Sequence, residues 1–345
     1  MTTAFLLFFA LFWSGITLGF DGYMAHNSWQ QFQTLHYPCV EGKVTASEIK
    51  RHRGSKGGTT YSAEINYVYT VGTQKFFAQR LRYIQLSSSS YSDAFGMVSG
   101  HPAGSAVTVY YDPAQPQEAV LYPGIDGVDF IPALFLTPFN MIMFGLWCGC
   151  AAWLRERWFR PAAGGVKLIA DGRVTRVRLP RWSPIWAGLA TTGGLGFFAI
   201  FVVGIPTGMH PSIPVVLAAI AFVYGAGLSV YLWQRSKINS GIDDLIINEC
   251  SRTLELPLTF GRTVPLLVIF GDIQSVWIEK IVHRSSKGGI SYTYAPTLRL
   301  AAAGASPQKL ADWSDQLKAR DFAQWLGKQI GVPVEDESSP LPGCV

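Results

Sequence analysis

Four stretches of this chain contain no Asp, Glu, Lys or Arg: Ala4 to Phe20, Phe130 to Leu154, Trp186 to Ile205 and Ile213 to Gln234. A helix formed by any of them has no charged side to turn toward water, and core helices of soluble proteins rarely stay apolar on every face for so long. At 1.5 Å per residue each one spans roughly 30 Å of hydrocarbon, the first only just. The pattern therefore predicts transmembrane helices at 4–20, 130–154, 186–205 and 213–234. No basic residue precedes the first stretch and no small-x-small cleavage pattern follows it before Trp29, so it reads as an uncleaved anchor.

Elsewhere the hydrophobic period drops to two. Tyr61, Ala63, Ile65, Tyr67, Tyr69 and Val71 alternate with Ser62, Glu64, Asn66, Val68 and Thr70, which puts an aromatic row on one face of a long strand. Gly72-Thr73 marks a tight turn into a returning strand, Phe76 to Tyr83, and Lys43 to Arg53 supplies a further strand upstream. Ser87 to Ser90 reads as a loop, Tyr91 to Val98 as a short helix, and Ala106 to Tyr111 as a strand stopped by Asp112-Pro113. Residues 24–125 thus form one β domain. Alternation resumes in Asp244 to Asn248, Thr253 to Leu258, Val264 to Phe270, Ile273 to His283 and Ile290 to Leu300. A helix is expected after these, with Ser306-Pro307 as N-cap and first position, an apolar face through Leu310, Trp313, Leu317, Phe322, Leu326 and Ile330, and Gly331 as its stop. Several antiparallel strands closed by one helix, over 240–334, have the layout of a pleckstrin-homology-like domain. The segment Val166 to Leu179 reads as a hairpin that would join the same sheet, and 335–345 as a disordered tail.

Charge changes this picture by giving it a direction. Of 345 residues 49% are hydrophobic and only 15% charged, and the formal net charge is +5. The connection 155–185 carries eight Arg or Lys residues against Glu156 and Asp171, a net +6 that exceeds the whole chain's charge. The basic character is therefore a juxtamembrane cluster, and nucleic acid is not an expected partner. Basic residues follow the cytoplasmic ends of membrane helices, whereas Asp21, Asp126 and Asp129 flank the opposite ends. The expected fold class is an α+β membrane protein: four transmembrane helices, an extracytoplasmic antiparallel β domain, and a cytoplasmic β-rich domain ending in a helix, with both termini cytoplasmic. Arg155, Arg157, Arg160, Arg176, Arg178 and Arg181 are candidate contacts for anionic lipid headgroups. Gly188, Thr192 and Gly196 on the third helix, and Ala221, Gly225 and Ser229 on the fourth, form candidate packing faces where backbones approach closely. Pro138 with Asn140 marks a candidate kink in the second helix.

The run Gly104-Ser-Ala-Val-Thr-Val-Tyr-Tyr-Asp-Pro-Ala-Gln-Pro, followed by Ala119-Val-Leu and Pro123-Gly124, resembles the closing signature of the domain of unknown function 3592 family. So does Tyr61 to Gln79 with its Tyr-x-Tyr-x-Val-Gly hairpin. The resemblance covers about residues 40–125 and implies a small β domain beside a membrane helix in bacterial membrane proteins. It implies no activity, because the family brings no catalytic residues with it.

Candidate chemistry is sparse. Gly54-Ser-Lys-Gly-Gly-Thr-Thr60 has its lysine before the glycines and strands on both sides, which a phosphate loop does not. Only His36 and Cys39 lie at metal-ligand spacing, with no second pair. Cys148 and Cys150 read as small packing residues, and five scattered cysteines make no disulfide framework. His52-Arg-Gly-Ser-Lys-Gly-Gly58 and His283-Arg-Ser-Ser-Lys-Gly-Gly289 share six of seven residues, an echo that two strand pairs with the same turn chemistry explain. The expectation is a non-enzymatic membrane protein without cofactor or metal, presenting two β domains for binding or assembly. Its expected partners are membrane lipids and a membrane protein or a second copy of itself. The competing readings are a signal-transmitting receptor and a membrane enzyme acting on lipid or cell-envelope material.

Overall fold

The structure is a computed structural model that describes residues 3–53, 59–84, 91–158, 163–207, 210–285, 289–302 and 306–336. The turns of the repeated His-Arg-x-Ser-Lys-Gly-Gly motif, the Ser87–Ser90 loop, Arg160, Cys344 and residues 337–345 lie outside the described residues. The chain is α+β, with four helices among the described residues long and apolar enough to cross a membrane. It divides into two compact units, 1–148 with 188–230, and 149–187 with 231–345.

In the first unit, α1 (Thr3–Gln33) leads through a 3₁₀ turn at Thr34–His36 into β1 (Cys39–Arg53). The helix is longer than the charge-free run that predicts it: residues 24–33, expected to belong to the β domain, are helical. Polar residues such as Asn27 and Gln31 do not stop a helix, and no proline occurs before Pro38. β1 pairs antiparallel with β2 (Thr59–Val71), from Gly42 opposite Tyr69 to Arg53 opposite Thr59, with an irregularity between Val44 and Ala46. β3 (Gln74–Ala78), α2 (Tyr91–Gly100), β4 (Ala106–Tyr111) and β5 (Ala119–Val120) complete a sheet of order β3-β2-β1-β4-β5. The expected returning strand stops at Ala78. Beyond it the backbone leaves the sheet: the Tyr122 N–H donates to the Leu81 carbonyl, and the Tyr83 N–H to Gln31 of α1.

The buried row of β2, Ala63, Ile65, Tyr67 and Tyr69, is the one its alternation predicts, and it packs on Val44, Leu81, Val109 and Leu121. Asp112 closes the Asp-Pro turn by accepting from the Ala114 N–H at 2.8 Å. A 3₁₀ turn at Gly127–Phe130, capped reciprocally by Asp126 and Asp129, opens α3 (Ile131–Trp158), which runs unbroken through Pro138.

Three polar bonds join α1 to α3. The Trp13 indole donates to the Phe139 carbonyl at 3.1 Å, Trp147 to the Ser14 hydroxyl at 2.9 Å, and Asn140 to the Asp21 carboxylate at 3.1 Å. The rest of α1 presents Phe8, Leu11 and Leu18 outward, each more than half exposed, which suits a lipid solvent and not water.

Helices α4 (Pro184–Gly204) and α5 (Ile213–Asn239) pack through glycine. A Cβ on Gly227 would lie 1.8 Å from the Thr192 hydroxyl and 3.1 Å from the Gly188 carbonyl, and one on Gly196 would lie 2.8 Å from Thr137 of α3. The expected α5 face is thereby corrected. Ala221, Gly225 and Ser229 are exposed, Gly225 has nothing within 4 Å of an added Cβ, and α5 buries Val216, Val223 and Gly227 instead. Gly225 and Gly227 are two residues, about 200°, apart on a helix. Gly227→Ala is accordingly expected to destabilise the helix pair by about 1–3 kcal/mol and Gly225→Ala to leave the monomer unchanged, as read by thermal unfolding in detergent.

The second unit starts with the hairpin β6 (Lys167–Asp171) and β7 (Val174–Arg178), turned at Gly172 with φ +63°. β8 (Leu245–Asn248), β9 (Thr253–Leu256) and β10 (Leu266–Ile269) complete a five-stranded sheet, β10-β9-β8-β7-β6. Because β7 pairs with β8, α4 and α5 are an insertion between neighbouring strands. A second sheet contains β11 (Ile273–Arg284), β12 (Ile290–Leu300), β13 (Gln308–Lys309) and β14 (Val334–Asp336), in the order β13-β12-β11-β14. α6 (Gln316–Ile330) and both sheets share one core, with Leu245, Leu254, Val276, Leu298 and Phe322 among its buried members.

Two expectations fail here. The helix starts at Gln316, where Asp315 accepts from the Leu317 N–H at 2.9 Å, and not at Pro307. Leu310 and Trp313 are buried at helix-like spacing, yet they belong to an extended segment: Gln308 and Lys309 pair with β12, and Trp313 exchanges backbone bonds with Tyr294. Leu317 is correspondingly exposed. Glu335 and Asp336, expected to open the disordered tail, belong to β14, which pairs parallel with β11, and Glu335 bonds Arg299 at 2.8 Å; the rest of that expected tail lies outside the described residues.

Candidate functional site

Polar side chains gather in three places. The first is a cleft of about 660 Å³ between α1 and the first sheet. α1 contributes Tyr23 and Asn27, β1 Lys50 and His52, and β2 Ser62 and Glu64; the segments around Arg80 and Glu118 form another wall. The charged groups are tied to one another. Lys50 pairs with Glu64, whose hydrogen bond raises the lysine pKa above its usual value, and Arg80 pairs with Glu118. Burial works against the Arg80 charge, but Glu118 and Tyr83 together outweigh it and raise the guanidinium pKa; the group also lies 4.5 Å over the Tyr83 ring. His52 is 3.0 Å from the Ser62 hydroxyl. Behind this wall the Tyr67 hydroxyl sits between the Arg80 and Ala119 carbonyls, at 2.7 and 3.1 Å. Burial raises the Tyr67 pKa beyond the ordinary phenol range and pushes Tyr69 up to about 12, so both remain neutral donors. The cleft offers hydrogen bonds and paired charge to a polar ligand.

The second place is a buried knot at the base of the same domain. The Gln31 side chain, fully buried, donates to the Tyr122 and Gly124 carbonyls at 2.9 and 2.7 Å and accepts from the Tyr83 N–H at 2.9 Å. Arg82 donates to the Gly124 carbonyl at 2.9 Å and to Asp129 at 2.8 Å, with Asp126 at 3.7 Å. Gln31 lies on α1 and Asp129 in the turn that opens α3, so the knot fixes the β domain to both helices.

The third is the basic segment, where the six predicted arginines separate. Arg155, Arg157 and Arg176 are exposed, Arg157 lying 5.8 Å from the Trp153 ring centre, and Arg160 is outside the described residues. Arg178 faces the buried Asp244 at 3.6 Å, and Arg181 bonds Asp243 at 3.0 Å, so these two tie β7 and its extension to the approach of β8. They are structural ion pairs and not free headgroup ligands. Their partners lie more than sixty residues away in sequence, which is why the charge count missed them. Arg262 is another structural cation: it bonds the Pro257 and Lys309 carbonyls at 2.9 and 3.1 Å, and burial lowers its pKa. Gln31 is the residue that sequence reasoning had no means of finding, since a glutamine beyond an apolar run carries no signal of its own.

Among the described residues no three His, Cys, Asp or Glu side chains are arranged to hold a metal ion. No curated protein and no solved structure matches the chain. Residues 40–126, which contain α2 and all of the first sheet but Cys39, match the family described as domain of unknown function (DUF3592).

Proposed function

We propose that this chain is a non-enzymatic integral membrane protein that holds two β domains, one on each face of a bacterial cytoplasmic membrane, for binding or assembling a membrane-associated complex. The observation that carries this reading is the pairing of two β bodies, each with its own buried core, with four helices whose outward faces are apolar. Charge gives the direction: the basic connection argues for a cytoplasmic C-terminal β domain, and the β domain of residues 40–126, one helix crossing away, is read as extracytoplasmic. The second unit is read as pleckstrin-homology-like, a reading supported by two sheets and a late helix around one core. The cleft beside α1 is the ligand site of the first domain, its charge already neutralised in ion pairs. Arg155, Arg157 and Arg176, with Arg160, are the headgroup contacts.

A second reading, a receptor that passes an outer binding event to the inner domain, is favoured by the knot of Gln31, Arg82 and Asp129, which fixes the outer domain to the ends of α1 and α3.

Cys39 and Cys250 are both exposed, so thiol labelling reads the topology. In single-cysteine variants, a membrane-impermeant maleimide is expected to label Cys39 in spheroplasts and Cys250 only after permeabilisation. Labelling of Cys250 in intact spheroplasts refutes the arrangement.

A further inference from the structure

The polar cleft beside α1 has a definable depth, because α1 is itself one of its walls. Ser14 meets Trp147 and Asp21 meets Asn140, so seven residues up α1 correspond to seven residues down α3. The same antiparallel register sets Gln31 level with Phe130. The buried knot agrees: Gln31 and Arg82 share the Gly124 carbonyl, and Arg82 also bonds Asp129. Hydrocarbon about 30 Å thick takes about 20 helical residues to cross. Counted along α3 from Leu154, where Arg155 closes the charge-free run, that thickness ends near Phe135, which is level with His26 of α1. The charge-free run of α1 itself ends at Phe20. Tyr23, Met24 and Asn27, the α1 wall of the cleft, therefore stand in the headgroup layer. Tyr23 is 60% exposed, and tyrosine favours that layer.

Below the cleft the same side of α1 is apolar. Steps of four, three, four and four residues down from Asn27 give Tyr23, Phe20, Ile16 and Phe12, which share one stripe of a helix. Phe20, Ile16 and Phe12 are each about half exposed. A polar cleft whose wall continues as an exposed apolar stripe into the hydrocarbon matches an amphiphile, with its head in the cleft and its chains along the stripe. Charge selects the head. Lys50 is paired with Glu64 and Arg80 with Glu118, while Arg82 is held by Asp129, so cations and carboxylates balance. An anionic head gains from the cations and loses to the carboxylates beside them, whereas a zwitterion matches both signs.

We propose that the cleft seats the headgroup of a zwitterionic phospholipid, its phosphate on Lys50 and Arg80, its ammonium on Glu64 and Glu118, and its acyl chains along Phe20, Ile16 and Phe12. The inference rests on the membrane reading and on the cleft as the ligand site of the first domain, and it names the chemistry of that ligand.

The test is native mass spectrometry of the full chain, released from detergent micelles that contain phosphatidylethanolamine or phosphatidylglycerol with identical acyl chains. One charge-assisted hydrogen bond sets the scale, so phosphatidylethanolamine is expected to be held about tenfold more tightly. Lys50→Gln/Glu64→Gln removes a surface pair that contributes little to folding, and it should cut that preference by about threefold or more. Equal retention of the two lipids, or a preference that survives undiminished in the variant, overturns the proposal. Water-soluble glycerophosphoethanolamine bound as tightly as the lipid assigns the cleft to a free solute and overturns it as well. A variant that alters retention of phosphatidylglycerol alone keeps the cleft as a ligand site but overturns the zwitterion, and one that alters neither lipid removes the cleft as the site. A chain that stays monodisperse without any amphiphile refutes the membrane reading itself, a distinguishable failure.

Discussion

Gln31→Leu is expected to cost the first unit about 3–5 kcal/mol. Leucine keeps the volume and the helix propensity, but it leaves the Tyr122 carbonyl and the Tyr83 N–H without the partner they have now, and the Gly124 carbonyl with only its bond from Arg82. Each buried backbone group left unsatisfied costs roughly 1–3 kcal/mol. The substitution should appear as a fall in Tm of about 10 °C by scanning fluorimetry in detergent. Asn27→Ala is the control. Its bond to the Tyr23 carbonyl, one turn earlier, is at the surface, and its loss should stay within about 0.5 kcal/mol. If Gln31→Leu behaves like the control, α1 is not fixed to the β domain in this way. The receptor reading then loses its mechanical link.

Arg82→Met comes next, at about 3–5 kcal/mol. The Asp129 side chain is only 3% exposed, and the substitution strands its charge with the Asp126 N–H as the remaining hydrogen-bond donor. Removing one member of a buried pair costs more than replacing both. Arg82→Met/Asp129→Asn should therefore be more stable than Arg82→Met alone, a non-additivity that a double-mutant cycle measures. Additive losses would mean that Arg82 and Asp129 act separately.

Much of the architecture was legible in the chain because burial leaves a period. The charge-free runs announced all four long helices, and the alternation from Tyr61 to Val71 announced which face of β2 is inside. What stayed illegible depends on partners distant in sequence. Trp313 has helical spacing to Leu310 and Leu317, but its backbone is claimed by Tyr294, and no local pattern reveals that competition. Arg178 and Arg181 look like members of a basic cluster until Asp243 and Asp244 arrive beside them. α5 has two glycines, and only the contact with Thr192 distinguishes the buried Gly227 from the exposed Gly225. The candidate cleft was invisible for the same reason, since Asn27, Lys50 and Glu118 meet only after the hairpin has curled against α1.

The interruption of a sheet by α4 and α5 has a consequence for biogenesis. β7 leaves the ribosome well before β8, and the sixty-six residues between them take some seconds to synthesise. During that interval the edge of β7 offers unpaired amides to any passing strand. On the proposed reading, both spans must enter the bilayer before β8 can claim that edge. Insertion of the helical pair therefore gates completion of the C-terminal domain, and a delay at the translocation machinery would surface as misassembly in the aqueous domain.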